Sequence, residues 1–191
     1  MNTATTVERE IKLRFESAEE ARAAIMSAGA TPLLGRRLQE DSLLDTSDEQ
    51  LRKRRCVLRV RVECGKSRLT FKGPVQPGIM KIREELETVV GDGDVVLRVL
   101  DELGLKVWFR YEKYREEFAH EDVIVAIDET PVGVFVEIEG SEAGIASMAQ
   151  ALGRSQDDYL VDSYRALFVQ HLRASGLSAT DMVFAGPDGG V

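Results

Sequence analysis

The stretch Val7–Leu13, which reads Val-Glu-Arg-Glu-Ile-Lys-Leu, decides the fold. Side chains two residues apart in a β-strand point to the same side. In a strand, Glu8, Glu10 and Lys12 therefore share one face, whereas the opposite face is apolar apart from Arg9. The stretch predicts a strand with one charged face and one apolar face.

The same period of two recurs along most of the chain, which is the pattern of strands with two different faces. The further stretches are Val57–Glu63, Arg68–Gly73, Lys81–Val89, Val107–Phe118, Val123–Asp128 and Val132–Gly140, with Glu40–Asp45 as a weaker candidate. Turn signals such as Gly73-Pro74 separate the stretches. Together with the first stretch they predict about eight strands.

Helical patterns lie between and after these strands. They cover Ser17–Ala28, Asp94–Leu103, Ser141–Leu152 and Ser163–Ser175. The first begins with Ser17 followed by Glu20, which is a capping-box pattern. A chain of 191 residues is long enough for one domain with a core. We expect a single domain over residues 5–175 and a flexible tail over residues 176–191, because the tail has no periodicity.

Composition narrows the classes of function. The net charge of −8 argues against broad nucleic-acid binding, so a phosphate site has to be a local basic patch. No apolar run approaches the roughly 18 to 20 residues that span a bilayer, and we expect a cytoplasmic protein without a membrane segment. Cys56 and Cys64 form no zinc motif and are expected to be reduced. A monomer and a homodimer both remain open.

The charged faces have two interpretations. An antiparallel sheet commonly exposes one polar face to water. Alternatively, the sheet closes with its apolar faces under the helices and its charged faces inward, and closure also removes exposed strand edges. Acids and bases of both signs recur on nearly every strand, which favours closure. The prediction is an α+β fold with a closed eight-stranded antiparallel β-barrel and flanking helices.

A charged interior also predicts a binding site, because a charge removed from water without a partner costs several kcal/mol. Basic side chains that could grip phosphate groups occur on different strands. They are Lys12, Arg59, Arg61, Lys72, Arg83, Lys113 and Arg115. Carboxylates that suit Mg²⁺ or Mn²⁺ share the same faces. They are Glu8, Glu10, Glu85, Glu87, Asp128, Glu137 and Glu139.

The first strand, Glu8-Arg9-Glu10-Ile11-Lys12, resembles the ExExK signature of the CYTH family, also called triphosphate tunnel metalloenzymes. Later segments are similar to further family strands in the same order. They are Gln39–Thr46, Val57–Arg61, Leu69–Gly73, Ile82–Glu87, Lys113–Arg115, Ile127–Asp128 and Gly133–Gly140. The resemblance extends from Val7 to Phe168. One departure is the basic run Arg52–Arg55, which is either a phosphate-binding lip or, as we favour, a solvated turn.

The resemblance implies a division of roles within the tunnel. Glutamates of the first and last strands bind metal, namely Glu8, Glu10, Glu137 and Glu139, with Glu85 and Asp128 as further ligands. The basic residues bind the triphosphate. Glu10, Lys12 and Arg59 are the expected catalytic residues, and Lys12 would orient or deprotonate the nucleophile. The resemblance makes Tyr164, at the start of the last helix, a structural residue.

Three functions fit this set of residues. The favoured one is metal-dependent hydrolysis of inorganic triphosphate, thiamine triphosphate or a nucleoside triphosphate. The second is a class IV adenylate cyclase, which makes cyclic AMP and pyrophosphate from ATP. The third is a noncatalytic module that binds polyphosphate or phosphorylated RNA. No base-reading pocket can be placed from the sequence, which favours hydrolysis without strong recognition of a base.

Overall fold

The strands close into one antiparallel barrel in the computed structural model, which describes residues 6–185. The strands are β1 Thr6–Phe15, β2 Thr31–Thr46, β3 Val57–Glu63, β4 Lys66–Lys72, β5 Lys81–Val90, β6 Leu105–His120, β7 Val123–Thr130 and β8 Gly133–Gly140. Their order around the barrel is β1-β5-β4-β3-β2-β6-β7-β8. The predicted fold class is confirmed. Residue 5 and residues 186–191, at the limits of the expected domain and tail, lie outside the described range.

The helices surround this barrel. They are α1 Ala18–Ser27, α2 Gln50–Lys53, α3 Gly93–Glu102, α4 Glu142–Ala151 and α5 Tyr164–Ser175, with a 3₁₀ turn at Gln156–Asp158. Serine hydroxyls accept a hydrogen bond from the first turn of three helices, at Ser17, Ser141 and Ser163. The four predicted helices are confirmed within about two residues at each end. None of the helices in residues 6–185 is long and apolar enough to cross a bilayer.

Strand β2 is much longer than the predicted segment Glu40–Asp45, since it begins at Thr31. Pro32, Gly35 and the pair Arg36-Arg37 interrupt the alternation in its first half. The pairing of β2 with β6 shifts register at Pro32/Leu34 and at Leu34/Arg37, as β-bulges do. The bulges explain why periodicity alone does not reveal this half of the strand.

The apolar faces of the strands point outward and pack under helices. Ile11, on β1, and Ile138, on β8, are fully buried in one cluster with Ile25 of α1 and Ile145 of α4. The charged faces must therefore point into the barrel, because successive side chains of a strand alternate. The alternative of a sheet with its charged face in solvent is wrong.

The segment after α5 is packed where the sequence predicts a flexible tail. Strand β7 pairs with β6 only from Tyr114 onward, which leaves an earlier edge of β6 unpaired by β7. Met182 fills this edge: its carbonyl accepts from Glu112 N at 2.9 Å, and its N–H donates to Arg110 O at 3.0 Å. The Met182 side chain is fully buried. Met182 is thus held against β6, and the segment is too short for a sequence period to reveal this contact.

Candidate active site

The interior of the barrel is a charged cavity of about 850 Å³. Its basic lining is Lys12, Arg37, Arg52, Arg55, Arg59, Arg61, Arg68, Lys72, Lys81, Arg83, Lys113, Arg115 and Arg165. Its acidic lining is Glu8, Glu10, Glu63, Glu85, Glu87, Glu117, Glu137, Glu139 and Asp162. Asp41 and Asp128 are buried directly behind the lining and pair with its bases. With these two aspartates, eleven acids face thirteen bases.

The two ends of the cavity differ. At the end where β1 finishes and β8 starts, Tyr164 of α5 packs against Phe135 and joins an aromatic cluster with Phe109. We call this the plugged end. The other end carries Glu63, Glu87, Glu117 and Glu139, which lie toward the opposite ends of their strands. We call it the acidic end.

The first strand and its neighbours hold a network around Glu10 and Lys12. Cross-strand pairing places Glu10 opposite both Lys81 and Glu139, and Lys12 opposite Glu137. Lys12 Nζ lies 2.9 Å from Glu10 Oε1 and 3.1 Å from Glu137 Oε1, and Lys81 Nζ lies 2.6 Å from Glu10 Oε1. The ammonium groups of Lys12 and Lys81 thus both contact Oε1 of the Glu10 carboxylate.

These contacts fix the protonation of the network. Burial alone would raise the pKa of Glu10, but Lys12 and Lys81 hold it well below its usual range. Burial alone would lower the pKa of Lys12, but the charges of Glu10 and Glu137 raise it above its usual value. Lys12 is therefore an ammonium ion at neutral pH. This geometry supports its expected role in orienting a phosphate or a nucleophile and not the role of a base.

Glu8 forms a second group with bases from β4 and β5. Lys72 Nζ lies 2.6 Å from Glu8 Oε1 and 3.0 Å from Glu85 Oε2, and Arg83 Nε lies 3.0 Å from Glu8 Oε2. Burial would raise the pKa of Glu8, as would the charge of Glu10, but Lys72 and Arg83 outweigh both and lower it. Burial raises the pKa of Glu85 despite its contact with Lys72. Lys72 is thus shared between the carboxylates of Glu8 and Glu85, and Arg83 contacts Glu8 as well.

Glu139 differs from the other predicted glutamates, because its side chain forms no salt bridge or hydrogen bond with any residue in the range 6–185. Its side chain reaches solvent at the acidic end while its carboxyl lies among other acids. Removal from water, followed by the charges of Glu8 and Glu10, raises the pKa of Glu139 to about 7. A cation placed among these carboxylates would relieve that repulsion.

The opposite wall, formed by β2 and β3, holds its charges in fixed pairs. Arg61 donates to both oxygens of Asp41, at 2.8 and 3.1 Å, and Asp41 is almost fully buried. Arg59 donates through Nη2 to the Thr70 hydroxyl at 3.2 Å. The Nε of Arg59 is shielded from water and lies 3.4 Å from Asp41 Oδ1, yet it has no hydrogen-bond partner among the described residues. Asp41 is therefore paired with both arginines, and the N–H of Arg59 Nε lacks a hydrogen-bond acceptor.

Asp128 lies behind the plugged end and is not part of the cavity surface. Its two oxygens accept from Lys113 Nζ at 2.7 Å, from Arg115 Nε at 2.7 Å and from Tyr164 Oη at 2.6 Å. Arg115 also donates to Glu137. Burial and the nearby charge of Arg115 lower the pKa of Lys113 to about 8. In this arrangement Asp128 orients two bases and a tyrosine, which differs from the expected metal ligand.

The structure brings together all the other residues predicted for the site, and it adds several. The added side chains are Arg37, Gln39, Asp41, Glu63, Lys81 and Glu117. Lys81 lies two residues before Arg83 on the same face, so the period of two contains the signal that identifies it. The same period places Glu63 two residues after Arg61 and Glu117 two residues after Arg115. The hydroxyl of Tyr164 donates a hydrogen bond to Asp128, so Tyr164 contacts a residue of the site in addition to closing one end of the cavity. No sequence signal separates the remaining additions from ordinary surface residues.

The basic run Arg52–Arg55 forms the end of α2 and the turn after it, as expected. Arg52 Nε lies 3.0 Å from Asp45 Oδ2, and the guanidinium stacks 4.2 Å from the Trp108 ring centre. Arg52 and Arg55 also line one side of the cavity. The interpretation as a turn is confirmed for the backbone, while these two side chains border the site.

The carboxylates suit a hard divalent cation by their chemistry, although they are not preassembled around one. No three His, Cys, Asp or Glu side chains in residues 6–185 converge as a metal centre. Glu8, Glu10 and Glu137 instead hold lysine or arginine. The Glu139 side chain is unpaired, and burial, followed by the closeness of Glu8 and Glu10, raises its pKa. The donor set therefore fits a cation that displaces ammonium groups from these glutamates.

Comparison with known proteins gives a consistent result. The CYTH domain family matches residues 6–162. A protein of Methanocaldococcus jannaschii, MJ0240, which is provisionally named an adenylate cyclase, is 28% identical over 172 residues, covering 84% of this chain and 98% of its own length.

Two solved structures share the fold. One is a provisionally named adenylate cyclase from Vibrio parahaemolyticus, with a TM-score of 0.76, 18% identity and coverage of 86% of this chain and 99% of its own. The other is HpAC1 from Hippeastrum, an adenylyl cyclase by provisional name that is described as having a dominant triphosphatase activity. Its TM-score is 0.66 at 20% identity, with coverage of 85% of this chain and 95% of its own. With the ExExK strand, the closed tunnel and the match over residues 6–162 in agreement, the chain belongs to the CYTH domain family.

Proposed function

We propose that the protein hydrolyses a small-molecule triphosphate inside the barrel, with a divalent metal ion. The observation that carries this proposal is the Nε of Arg59, which is buried in a wall of basic residues at ion-pair distance from Asp41 but without a hydrogen-bond acceptor. Buried N–H groups almost always have a partner, so an unpaired guanidinium N–H predicts a missing acceptor such as a phosphate oxygen. Arg61, Lys72, Arg83 and Lys113 would hold the remaining oxygens.

Charge balance supports a metal complex of the triphosphate as the true ligand. The tunnel holds thirteen bases and eleven acids when Asp41 and Asp128 are included, an excess of two positive charges. A triphosphate with about four negative charges would leave this interior unbalanced, whereas Mg²⁺ or Mn²⁺ would offset its charge. Glu8, Glu10, Glu137 and Glu139 would hold the cation. When bound, the cation would polarise phosphate oxygens and neutralise charge that develops during the reaction.

The chain's own residues would position the substrate for attack by water. The oxygen of water forms a bond to the terminal phosphorus, the bond from that phosphorus to the bridging oxygen breaks, and diphosphate leaves with the electron pair. One proton of the water is released to solvent. Lys12 and Arg59 would stabilise the charge on the transferring group, because both are cationic and aimed into the tunnel.

A second candidate function is the cyclisation of ATP to cyclic AMP. It is supported by the names of the Methanocaldococcus and Vibrio proteins, whereas the description of HpAC1 supports hydrolysis. The tunnel suits both reactions, because they share a triphosphate and a metal ion. We favour hydrolysis because the side chains proposed to bind the substrate, such as Arg59 and Lys72, would all contact its phosphate groups.

The test is a product assay with purified protein. Inorganic triphosphate and ATP would be supplied separately, each with Mg²⁺, with Mn²⁺ and with chelator, and phosphate, pyrophosphate, ADP and cyclic AMP would be resolved. We expect metal-dependent release of phosphate from inorganic triphosphate. Cyclic AMP and pyrophosphate from ATP would replace this proposal with the cyclase. Binding without any turnover would replace it with the noncatalytic module.

A further inference from the structure

Tyr164 lies where the plug formed by α5 meets the charged interior of the barrel. It is the first residue of α5, and the Ser163 hydroxyl fixes the start of that helix by accepting a hydrogen bond from Ala166 N at 3.2 Å. Tyr164 lines the cavity although only 6% of its surface is exposed. Its ring packs edge-on against Phe135, with the ring centres 5.6 Å apart. Helix α5 therefore holds the Tyr164 side chain in one place inside the barrel.

The ring of Tyr164 lies under two ammonium groups of the tunnel. Lys12 Nζ lies 5.2 Å and Lys113 Nζ lies 4.9 Å from the ring centre. An aromatic face attracts a cation at this distance, and the attraction is stronger where water is excluded. Both lysines are only 2% exposed. The ring thus supports two cations that line the cavity, which an aliphatic side chain at this position would not do.

The hydroxyl of Tyr164 reaches one of these lysines through Asp128. A tyrosine hydroxyl is protonated at neutral pH and can donate a hydrogen bond. It donates to Asp128 Oδ2 at 2.6 Å, and the same oxygen accepts from Lys113 Nζ at 2.7 Å and from Arg115 Nη2 at 2.5 Å. Asp128 is fully buried. Three donors, of which only the tyrosine is neutral, therefore share one carboxylate oxygen that water does not reach.

This sharing sets how strongly Asp128 holds its cations. The hydroxyl fills part of the acceptor capacity of Oδ2 and offsets part of its charge. Without the hydroxyl, Lys113 and Arg115 would be the remaining side chains within residues 6–185 that donate to Asp128. The carboxylate would then draw the Lys113 ammonium away from the cavity that it lines.

We propose that Tyr164 is a positioning residue, whose hydroxyl binds Asp128 and thereby keeps the Lys113 ammonium free to bind a phosphate oxygen of the substrate. The inference deepens the proposed function, because it rests on Lys113 as a phosphate ligand. It also gives Tyr164 a role beyond the structural one that the family resemblance implies. Lys113 would hold the phosphate both before and during the reaction, and loss of such uniform binding raises KM and leaves kcat unchanged.

The first test removes the hydroxyl and keeps the ring. With inorganic triphosphate and saturating Mg²⁺, we expect KM to rise about threefold to tenfold in Tyr164→Phe, the effect of one typical hydrogen bond. We expect kcat to stay within about twofold. Tyr159→Phe is the matched control, because the Tyr159 hydroxyl forms no hydrogen bond within residues 6–185 and the residue does not line the cavity. The control should change neither value.

A second variant separates positioning from closure of the plugged end. Phe168 belongs to the same aromatic cluster on α5, and its ring packs against Phe109. Phe168→Leu disturbs this packing without removing a polar group. If Tyr164 acted only by closing the barrel, Phe168→Leu would raise KM at least as much as Tyr164→Phe. We expect KM in Phe168→Leu to stay within about twofold.

A third comparison tests whether the hydroxyl acts through Asp128. Asp128→Asn keeps the shape of the side chain and removes its charge. In that background Tyr164→Phe should raise KM by less than about twofold, because substitutions that act through one shared contact are not additive. Circular dichroism would verify that each variant is folded, and the two single substitutions on α5 decide the case if the double variant does not fold.

Three results would overturn the inference while the unaltered protein still hydrolyses inorganic triphosphate. They are an unchanged KM in Tyr164→Phe, an equal rise of KM in Phe168→Leu, and a full additional rise when Tyr164→Phe is combined with Asp128→Asn. Failure of the unaltered protein to release phosphate from inorganic triphosphate would instead overturn the proposed function.

Discussion

The wall around β1 and the wall of β2 and β3 hold similar charges in different ways. Around β1, Lys12, Lys72 and Lys81 contact the glutamates through single amine groups, and two of these lysines are shared between two acids. On the other wall, Arg61 grips Asp41 through two parallel hydrogen bonds. A lysine is a point charge on a flexible stem, whereas an arginine fork fixes geometry. The wall around β1 can therefore exchange its ion-pair partners, and we call it the exchangeable wall. The wall of β2 and β3 keeps a fixed geometry, and we call it the rigid wall.

The largest effect is expected from breaking the rigid wall. Asp41→Ala would leave Arg61 buried without its carboxylate, and loss of one partner of a buried pair costs about 3–5 kcal/mol. We expect the free energy of unfolding to fall by that amount in urea titrations. Asp94→Ala, at an exposed position on α3, is the matched control and should change it by less than about 0.5 kcal/mol. An unaltered stability would show that the pair contributes no net energy.

A similar change in the exchangeable wall should affect activity more than stability. Glu10→Gln removes a proposed metal ligand, and we expect kcat to fall by at least about 100-fold, since even outer partners of metal ligands contribute roughly 10–100-fold. Circular dichroism should show a folded protein. Glu84→Gln, an exposed neighbour of the tunnel residues, serves as the control. Full activity of Glu10→Gln would remove Glu10 from the site.

Arg59 joins the two walls, because it donates to Thr70 while its Nε, 3.4 Å from Asp41 Oδ1, has no hydrogen-bond acceptor among the described residues. Arg59→Ala should weaken binding of inorganic triphosphate by about 1.5–3 kcal/mol, the range for hydrogen bonds to charged groups. Calorimetric titration with Mg²⁺ present measures this, with Arg98→Ala on the exposed face of α3 for comparison. Unchanged affinity would mean that phosphate lies elsewhere in the cavity.

The smallest effect concerns Glu139, the unpaired acid of the exchangeable wall. Its folded pKa of about 7 lies above the usual value of 4.5, so metal-free stability is lost as pH rises from about 4.5 to 7. Glu139→Gln imitates the protonated form and should be more stable than the unaltered protein above pH 7, by up to about 1 kcal/mol after solvent screening. The two proteins should be equally stable below about pH 4.5. Urea titrations at pH 4 and 8 with chelator would measure this, and a variant that is less stable at pH 8 would contradict it.

Periodicity predicts most of this fold, because β1, β3 and β8 largely alternate charged and apolar residues, with few exceptions such as Arg9. It also identifies the bases and glutamates of the tunnel, since the inward face follows from the apolar outward face. The first half of β2 is not predicted, because Pro32, Gly35 and its bulges disturb the alternation. Arg37 lies in that half and was missed together with it.

Other features depend on contacts between distant parts of the chain. Asp128 shares a face with the predicted ligands, yet Tyr164, 36 residues later, turns it into the anchor of Lys113 and Arg115. Met182 is buried only because β7 leaves part of the β6 edge free. Neither arrangement is encoded in a local pattern. Which carboxylate remains unpaired, as Glu139 does, likewise depends on the register of several strands at once.

A crystal structure with inorganic triphosphate and Mn²⁺ would test most directly whether the tunnel binds a metal complex of triphosphate, because the anomalous signal of manganese locates the ion. We expect manganese beside Glu10 and Glu139 and phosphate oxygens within hydrogen-bond distance of Arg59 Nε. We also expect that the ammonium groups of Lys12 and Lys81 no longer both contact Glu10. Triphosphate bound outside the barrel would contradict this proposal. Triphosphate bound inside it, with Glu10 still paired to both lysines and no manganese nearby, would contradict it as well.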